Sequence, residues 1–323
     1  PTGKDNDGNQ RTAVCCLSSL NLDTYDEWSE DSQFVEDVMR FLDNVMNDFI
    51  ERAPDEFAHA KYSAMRERSV GLGVMGLHSY FQKKNIPFGS VMSKVWNKKV
   101  FKNIQEKVDA ASKSLAEERG ACPDAEEYGM KERFSNKTAI APTASISIIC
   151  GGSSPGIEPI AANSYTHKTL SGSFNVRNKY LKKILSKYKK DTDDVWSSIT
   201  TNQGSVSHLD FLTAEEKDTF KTAFEIDQRW IVELGADRTP HISQAQSINI
   251  FIPADIHKKD LHNLHFQAWK KGLKSLYYCR SKSIQRAENV NKGTSTDVTK
   301  NVYSQGQESN NESNNYEECL SCQ

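Results

Sequence analysis

The stretch Thr138 to Pro159, T-A-I-A-P-T-A-S-I-S-I-I-C-G-G-S-S-P-G-I-E-P, carries residue types suited to holding an anion. Thr138 to Ala141 is short, small and apolar, as the end of a buried strand is. Pro142 then fixes φ where a helix can begin. Thr143, Ala144, Ser145, Ile146 and Ser147 follow, all short or β-branched. The first amides of a helix have no intrahelical partner and carry the positive end of its dipole. Small side chains leave those N–H groups open, the hydroxyls add donors, and a polyphosphate fits such a cradle. A capped strand–helix turn with nothing bound has the same local sequence. No G-K-[ST] is present, so the turn is not a Walker loop. Glu158 sits beside the cradle and is equally suited to a helix cap.

Thiols are the second chemistry. The chain ends in Cys319-Leu-Ser-Cys322-Gln, and a zinc site there would need two more ligands nearby, which the sequence does not offer. A mobile dithiol is the better reading. From about Ala287 the composition lacks enough apolar residues to fold. About 36 such residues reach roughly 30 Å, enough to enter a pocket and retreat. The glutamates beside Cys319 disfavour its thiolate. At the other end, A-V-C-C-L-S (13–18) reads as a short buried strand. Alternation puts Ala13, Cys15 and Leu17 on one face and Val14, Cys16 and Ser18 on the other, so the two cysteines point apart. Small buried hydrophobes are the ordinary role of such residues. Cys122, beside Pro123, and Cys279 receive no role, and Cys150 reads as packing.

These residues need elements to hold them. Ser32 to Ile50 predicts an amphipathic helix with Phe34, Val38, Phe41, Leu42, Val45 and Phe49 on one stripe. R-S-V-G-L-G-V-M-G-L contains G-x-G-x-x-G at Gly71, Gly73 and Gly76. A dinucleotide site would need an acidic residue about 20 residues on, at the end of the next strand. K-K-N-I-P-F-G-S follows instead, so close strand–helix packing is the expected role, and a dehydrogenase reading stays a distant alternative. Ser93 to Arg119 predicts a long helix with Trp96, Val100, Ile104, Val108, Ala111 and Leu115 inward and Gly120 just past its end. Lys179 to Lys190 reads as a solvated basic helix face. Thr213-Ala-Glu-Glu216 is a capping box opening a helix that runs to about Gly235. Q-S-I-N-I-F-I (246–252) is a buried-looking strand. A helix ending at Gly272 feeds L-K-S-L-Y-Y-C. Tyr277 and Tyr278, if they lie in a regular strand, face opposite ways, one in the core and one out. Strands alternating with helices predict a parallel sheet or α/β barrel.

Composition bounds the rest. The 323 residues can bury a sizeable core. Net charge is −2 with 26% charged residues, so no global basic field for nucleic acid exists. Mean hydropathy is −0.66, and no apolar run approaches a membrane span. Seven cysteines, an odd number without a framework spacing, favour selected working thiols in a reducing cytoplasm.

Taken together, A-P-T-A-S, G-I-E-P, N-S-Y-T-H-K-T-L-S-G, A-V-C-C-L-S-S-L-N-L (13–22), M-R-E-R-S-V-G-L-G-V-M-G-L (65–77), D-Q-R-W with H-I-S-Q-A-Q-S-I-N-I (227–250), H-F-Q-A-W-K-K-G-L-K-S-L-Y-Y (265–278) and the terminal C-L-S-C resemble the large (alpha) subunit of class I ribonucleotide reductases. The resemblance covers nearly the whole chain. It implies an α/β fold, the second half of a ten-stranded α/β barrel over residues 1–286, followed by a disordered tail over 287–323 with a redox-active dithiol. It implies reduction of ribonucleoside diphosphates by a thiyl-radical mechanism. Pro142, Thr143, Ala144, Ser145, Ile146 and Ser147 are implied to hold the substrate diphosphate, with Ile146 departing from the hydroxyl residue of relatives. Cys15 is implied to be a reducing thiol, while Cys16 falls where relatives carry a polar residue. Tyr277 and Tyr278 are implied to relay a radical, and Cys319 and Cys322 to clear the resulting disulfide by exchange. If the two rings stack, the backbone must leave regular β geometry. No metal or cofactor is expected on this chain. The radical comes from the metal centre of a small beta subunit, the reductant is thioredoxin or glutaredoxin, and ATP or deoxynucleotide effectors act on the assembled complex.

In the family, the radical cysteine lies just upstream of the point matching Pro1, and the partner of Cys15 lies further upstream. A split enzyme is therefore expected, with an N-terminal alpha-subunit polypeptide as the further partner. A non-catalytic paralogue or remnant that binds the small subunit is the alternative.

Overall fold

The computed structural model describes residues 2–169 and 172–281, without side chains for 167–169 and 172–174. The elements in chain order are β1 (Gly3–Lys4), β2 (Gln10–Arg11), β3 (Leu17–Asn21), α1 (Tyr25–Trp28), α2 (Ser32–Arg52), α3 (Ala58–Glu67), β4 (Gly71–Met75), α4 (Leu77–Lys83), α5 (Val91–Arg119), α6 (Pro123–Glu127), α7 (Ala144–Ile149), β5 (Ser164–Thr169), β6 (Gly172–Arg177), α8 (Lys179–Lys187), α9 (Asp193–Thr201), α10 (Ala214–Thr219), α11 (Gln228–Arg238), β7 (Ile250–Ile252), α12 (Lys258–Lys270) and β8 (Cys279–Ser281).

Parallel pairing runs in chain order. β3 pairs with β4 from Leu17↔Gly71 to Asn21↔Met75. Leu72 then bridges Thr138, and Ile140 bridges Gln246, both parallel. β7 pairs with β8 from Ile250↔Cys279 to Ile252↔Ser281. Helices fill the crossovers, as parallel strands require. This is the α/β arrangement expected. Among the described residues the row stays open: β3 pairs only with β4, and β8 only with β7. The polar segment before Thr12 forms the short antiparallel ladder of β1 and β2.

The main core lies between the sheet and α2, α4, α5 and α11. A separate core of Leu181, Leu185, Trp196, Ile199, Val206, Leu209, Leu212 and Phe220 holds the excursion from α8 to α10 together. The long helix matches its sequence pattern, with Val100, Ile104, Val108, Ala111 and Leu115 buried and Ser90 and Ser93 forming a capping box. The Thr213–Glu216 capping box is present, but its helix ends at Thr219. A second helix starts after the Asp227 cap, so the single helix expected to Gly235 is two.

α2 differs in its facing. The buried residues are Val35, Met39, Leu42 and Met46, whereas Phe41 and Val45 are exposed. Of the expected stripe, Leu42 is buried and Phe34, Val38 and Phe49 are half-buried against the core. The reason for the different facing is Asp43, which is fully buried on the same face. Arg68 Nη2 lies 2.6 Å from its Oδ1, Arg133 Nε 2.9 Å from the same oxygen, and Arg119 Nη1 2.8 Å from Oδ2. Arg68 adopts left-handed φ of 42° at the end of α3 and also reaches Asn47. Arg133 also donates to the carbonyls of Arg119 and Gly120 at the end of α5. Burial pushes the Asp43 carboxyl up, but the guanidiniums outweigh it and hold it below its ordinary 3.8.

A carboxyl whose folded value is depressed contributes stability that is fully present above its unfolded value and is lost as pH falls through the folded value. Asp43→Asn leaves buried guanidiniums without their anion, and should lower the unfolding free energy by about 3–5 kcal/mol. Urea unfolding of wild type and variant at neutral pH and in acid checks this. The gap should narrow in acid; an unchanged gap would mean that packing, not charge, holds the site.

Candidate functional site

The strand segment 138–140 ends where the anion turn begins. The helix starts at Ala144, two residues later than Pro142 suggested, because Thr143 adopts left-handed φ of 54° at the N-cap position, where its side chain makes no capping bond. That bend points the amides of Ala144, Ser145 and Ile146, which have no intrahelical acceptors, out of the helix end. The hydroxyls are less available than the sequence suggested. Thr143 Oγ1 accepts from the Gly156 amide at 2.7 Å, and Ser147 Oγ donates to the Ala144 carbonyl at 3.1 Å. Thr143 and Ser147 are buried, while Ser145 and Ile146 are exposed. Among the expected hydroxyls, only that of Ser145 lies in the open.

The loop after α7 is fastened to the end of β4. The Gly76 amide donates to the Ser154 carbonyl at 2.7 Å, and the Leu77 amide to the Gly156 carbonyl at 3.3 Å. Asp23, buried after β3, accepts from Ser153 at 3.0 Å and is contacted by Lys179 and Tyr180. The glycines of G-x-G-x-x-G pack against chain rather than ligand. A Cβ on Gly73 would lie 2.3 Å from the Ala139 carbonyl oxygen, and one on Gly76, at φ +83°, 2.9 Å from Asn21 Oδ1. The close approach is strand against strand, a correction to the strand–helix packing expected.

Tyr277 and Tyr278 precede β8 and are not among its paired positions, although the Tyr278 carbonyl accepts from the Ile250 amide at 3.0 Å. Their rings are 4.1 Å apart at 51°, and the hydroxyls are 3.5 Å apart. Adjacent residues of a regular strand cannot do this, so the departure from β geometry is what pairs them. Register sets their level. The Tyr277 amide donates to the Ile248 carbonyl at 2.8 Å, two residues past the Ile140↔Gln246 bridge. The pair thus lies level with the turn after Ala141.

Glu158 joins the two. It follows the Gly156 contact with Thr143, it is only 8% exposed, and it accepts from Asn249 Nδ2. Asn249 Oδ1 in turn accepts from the Tyr278 amide at 2.9 Å. Burial pushes the Glu158 carboxyl up to about 7, with Arg280 and Asn249 pulling it back only in part. Asn249 was not singled out in the sequence. Its partners are 91 and 29 residues away, and an asparagine in an apolar strand was the available signal.

Cys15 stands apart. It lies before β3 rather than in a strand, and it is exposed, contrary to the buried strand expected. The alternation does hold: Leu17 is exposed on the Cys15 face, while Cys16 is half-buried and its thiol is pushed up by burial. Cys15 lines a cleft of about 60 Å³ with Gly71, Ala139 and Gln244, at the opposite end of the strands from the anion turn. Cys122 is fully buried, and Cys279 is exposed on β8. Cys319 and Cys322 lie outside the described residues. Among the described residues no cluster of His, Cys, Asp and Glu could hold a metal ion, and no helix is long and apolar enough to cross a membrane.

A strand-end turn level with paired phenols invites comparison with known proteins. The family described as ribonucleotide reductase, barrel domain, matches residues 4–132 and 123–279. The chain belongs to this family. Its relatives include the ribonucleoside-diphosphate reductase large subunits of invertebrate iridescent virus 6, 49% identical over 284 residues, and of invertebrate iridescent virus 3, 45% identical over 289. These alignments cover 87% and 88% of this chain but only 29% and 46% of those proteins. Among solved structures, the Actinobacillus ureae class Id ribonucleotide reductase alpha subunit superposes with a TM-score of 0.79 at 41% identity, over 84% of this chain and 50% of that one. The chain therefore corresponds to part of a ribonucleotide reductase large subunit.

Thiol accessibility tests the arrangement. A maleimide applied to the folded chain should label Cys15 and Cys279 and leave Cys122 unlabelled until denaturant is added, as read by peptide mass spectrometry. Native labelling of Cys122 at the rate of Cys15 would contradict the packing around α6.

Proposed function

We propose that the chain is the C-terminal part of a class I ribonucleoside-diphosphate reductase large subunit, reducing ribonucleoside diphosphates to deoxyribonucleoside diphosphates by a thiyl-radical mechanism. The observation that carries this reading is the ring-against-ring pair Tyr277 and Tyr278, with hydroxyls 3.5 Å apart, in a chain of this family. Phenols at that distance can exchange one electron and one proton directly. The radical originates at the metal centre of a small beta subunit and reaches the active site through this pair.

The turn of Pro142, Thr143, Ala144, Ser145, Ile146 and Ser147 takes the substrate diphosphate. Its donors are backbone amides, which tolerate Ile146 in place of a hydroxyl residue. Cys15 is one of the reducing thiols. Cys319 and Cys322 form the dithiol that clears its disulfide and is in turn reduced by thioredoxin or glutaredoxin. The protein works in the cytoplasm. Activity requires the N-terminal alpha sequence that relatives carry and these 323 residues do not, together with the beta subunit. ATP and deoxynucleotide effectors act on that assembly.

Reconstitution tests the reading. Diphosphate reduction should appear only with the N-terminal alpha polypeptide, this chain and the beta subunit together. Tyr277→Phe and Tyr278→Phe should each lower turnover by more than about a hundredfold, a loss of roughly 2.7 kcal/mol in transition-state stabilisation, while the complex still assembles. Phenylalanine keeps the ring but cannot be oxidised in its place. Substantial activity in either variant would return that tyrosine to a packing role.

The tail is tested separately. With Cys319 and Cys322 both changed to serine, the pre-reduced complex should complete its first turnovers. Continued turnover on thioredoxin or glutaredoxin should stop, and a small dithiol should restore part of it. Normal cycling of the double variant on a protein reductant would remove the shuttle role.

A further inference from the structure

Glu158 is a buried carboxyl that the mechanism above does not use. Asn249, 1% exposed, sits between it and the tyrosine pair. The orientation of that amide is fixed by its neighbours. Its oxygen must face the Tyr278 N–H, so its nitrogen must face the Glu158 carboxyl. The Tyr278 carbonyl is held as well, accepting from the Ile250 amide at 3.0 Å. The backbone on both sides of the Tyr278 ring is therefore pinned, and one pin ends on Glu158.

Charge adds a second link. Arg280 on β8 places its guanidinium carbon 5.5 Å from the centre of the Tyr278 ring. The same guanidinium is the charged group whose field reaches Glu158; its other partner, Asn249, is neutral. A cation over a ring face is attracted to the electrons of that ring and makes their removal harder. An ionised Glu158 offsets that cation, and a neutral Glu158 does not.

We propose, resting on the radical-relay reading, that Glu158 is a positioning residue for the tyrosine pair: through Asn249 it fixes the Tyr278 backbone, and through its charge it sets how far Arg280 opposes oxidation of the Tyr278 ring. The step it acts on is balanced within the pair. A Tyr277 phenoxyl radical takes one electron and the phenolic proton from Tyr278, leaving a Tyr277 phenol and a Tyr278 phenoxyl, and the reverse exchange runs likewise. Glu158 neither gains nor loses the transferred electron. With Glu158 ionised, the exchange toward a Tyr278 radical is eased; with Glu158 protonated, it is opposed. The carboxyl, pushed up to about 7 by burial, changes charge in the neutral range, so the relay acquires a pH dependence there.

The experiment places 4-fluorophenylalanine at position 278 of the full 323-residue chain and follows its fluorine resonance from pH about 5 to about 8, where a group near 7 changes charge. The probe ring has no ionisable group and cannot serve the relay, so the result does not depend on turnover by the assembled complex. The resonance should follow a single titration near neutrality. Glu158→Gln should abolish that titration, Glu158→Asp should retain one at a displaced midpoint, and Arg280→Gln should move the wild-type midpoint to higher pH, because the cation that favours the ionised carboxyl is gone. A flat resonance in the otherwise wild-type chain, or a titration unchanged in Glu158→Gln, would overturn the proposal. So would an unchanged midpoint in Arg280→Gln.

Discussion

Asp43 is the point from which the strand row is aligned. Its carboxylate sits on α2, the helix that carries the chain away from β3. Arg68 lies three residues before β4, and Arg133 five residues before the segment that begins at Thr138. One buried anion thus gathers the chain just before two successive parallel strands. Arg119 ties in the end of α5, the helix that spans the distance between them. Burying a charge of this kind is costly unless it is paired and hydrogen-bonded. With three guanidiniums on two oxygens, the arrangement is complete only when all the strand leads are in place.

From that alignment the site follows at the other ends of the strands. With β4 and 138–140 in register, Gly73 can lie against the Ala139 carbonyl, and no side chain fits between them. The turn after Ala141 then emerges beside the end of β4, where Gly76 and Leu77 hold the returning loop. That loop delivers Glu158 to Asn249, and Asn249 fixes Tyr278. The chemistry-bearing groups are thus set by backbone register over a long distance, with hydrogen bonds of side chain to backbone making the final adjustments.

Local features were legible in the sequence, and long-range polar ones were not. The Thr213–Glu216 capping box and the inward face of α5 depend on neighbours within a few residues, and both are present as read. The pairing of Tyr277 with Tyr278 could be stated only conditionally, since nothing in the sequence says where a strand stops short. The facing of α2 was misread in part: Phe41 and Val45 were placed on the inward stripe but are exposed, and Asp43, which was not singled out, is buried instead. Its partners stand 25, 76 and 90 residues away, so its burial leaves no periodic trace. Cys15 was placed in a strand that begins two residues later, since an apolar run does not mark the first ladder bond. At the turn after Ala141, residue types suggested open amides and available hydroxyls. They did not reveal that Thr143 and Ser147 spend their hydroxyls on their own loop.

The strand row has two free margins among the described residues, the outer side of β3 and the outer side of β8. Each is a strand edge with no second ladder partner among the described residues, and Leu17 on β3 adds an exposed apolar side chain. Such margins recruit other strands indiscriminately, including those of identical chains. In a chain whose two outer strands stay uncovered, edge-to-edge association with other copies is the physical consequence.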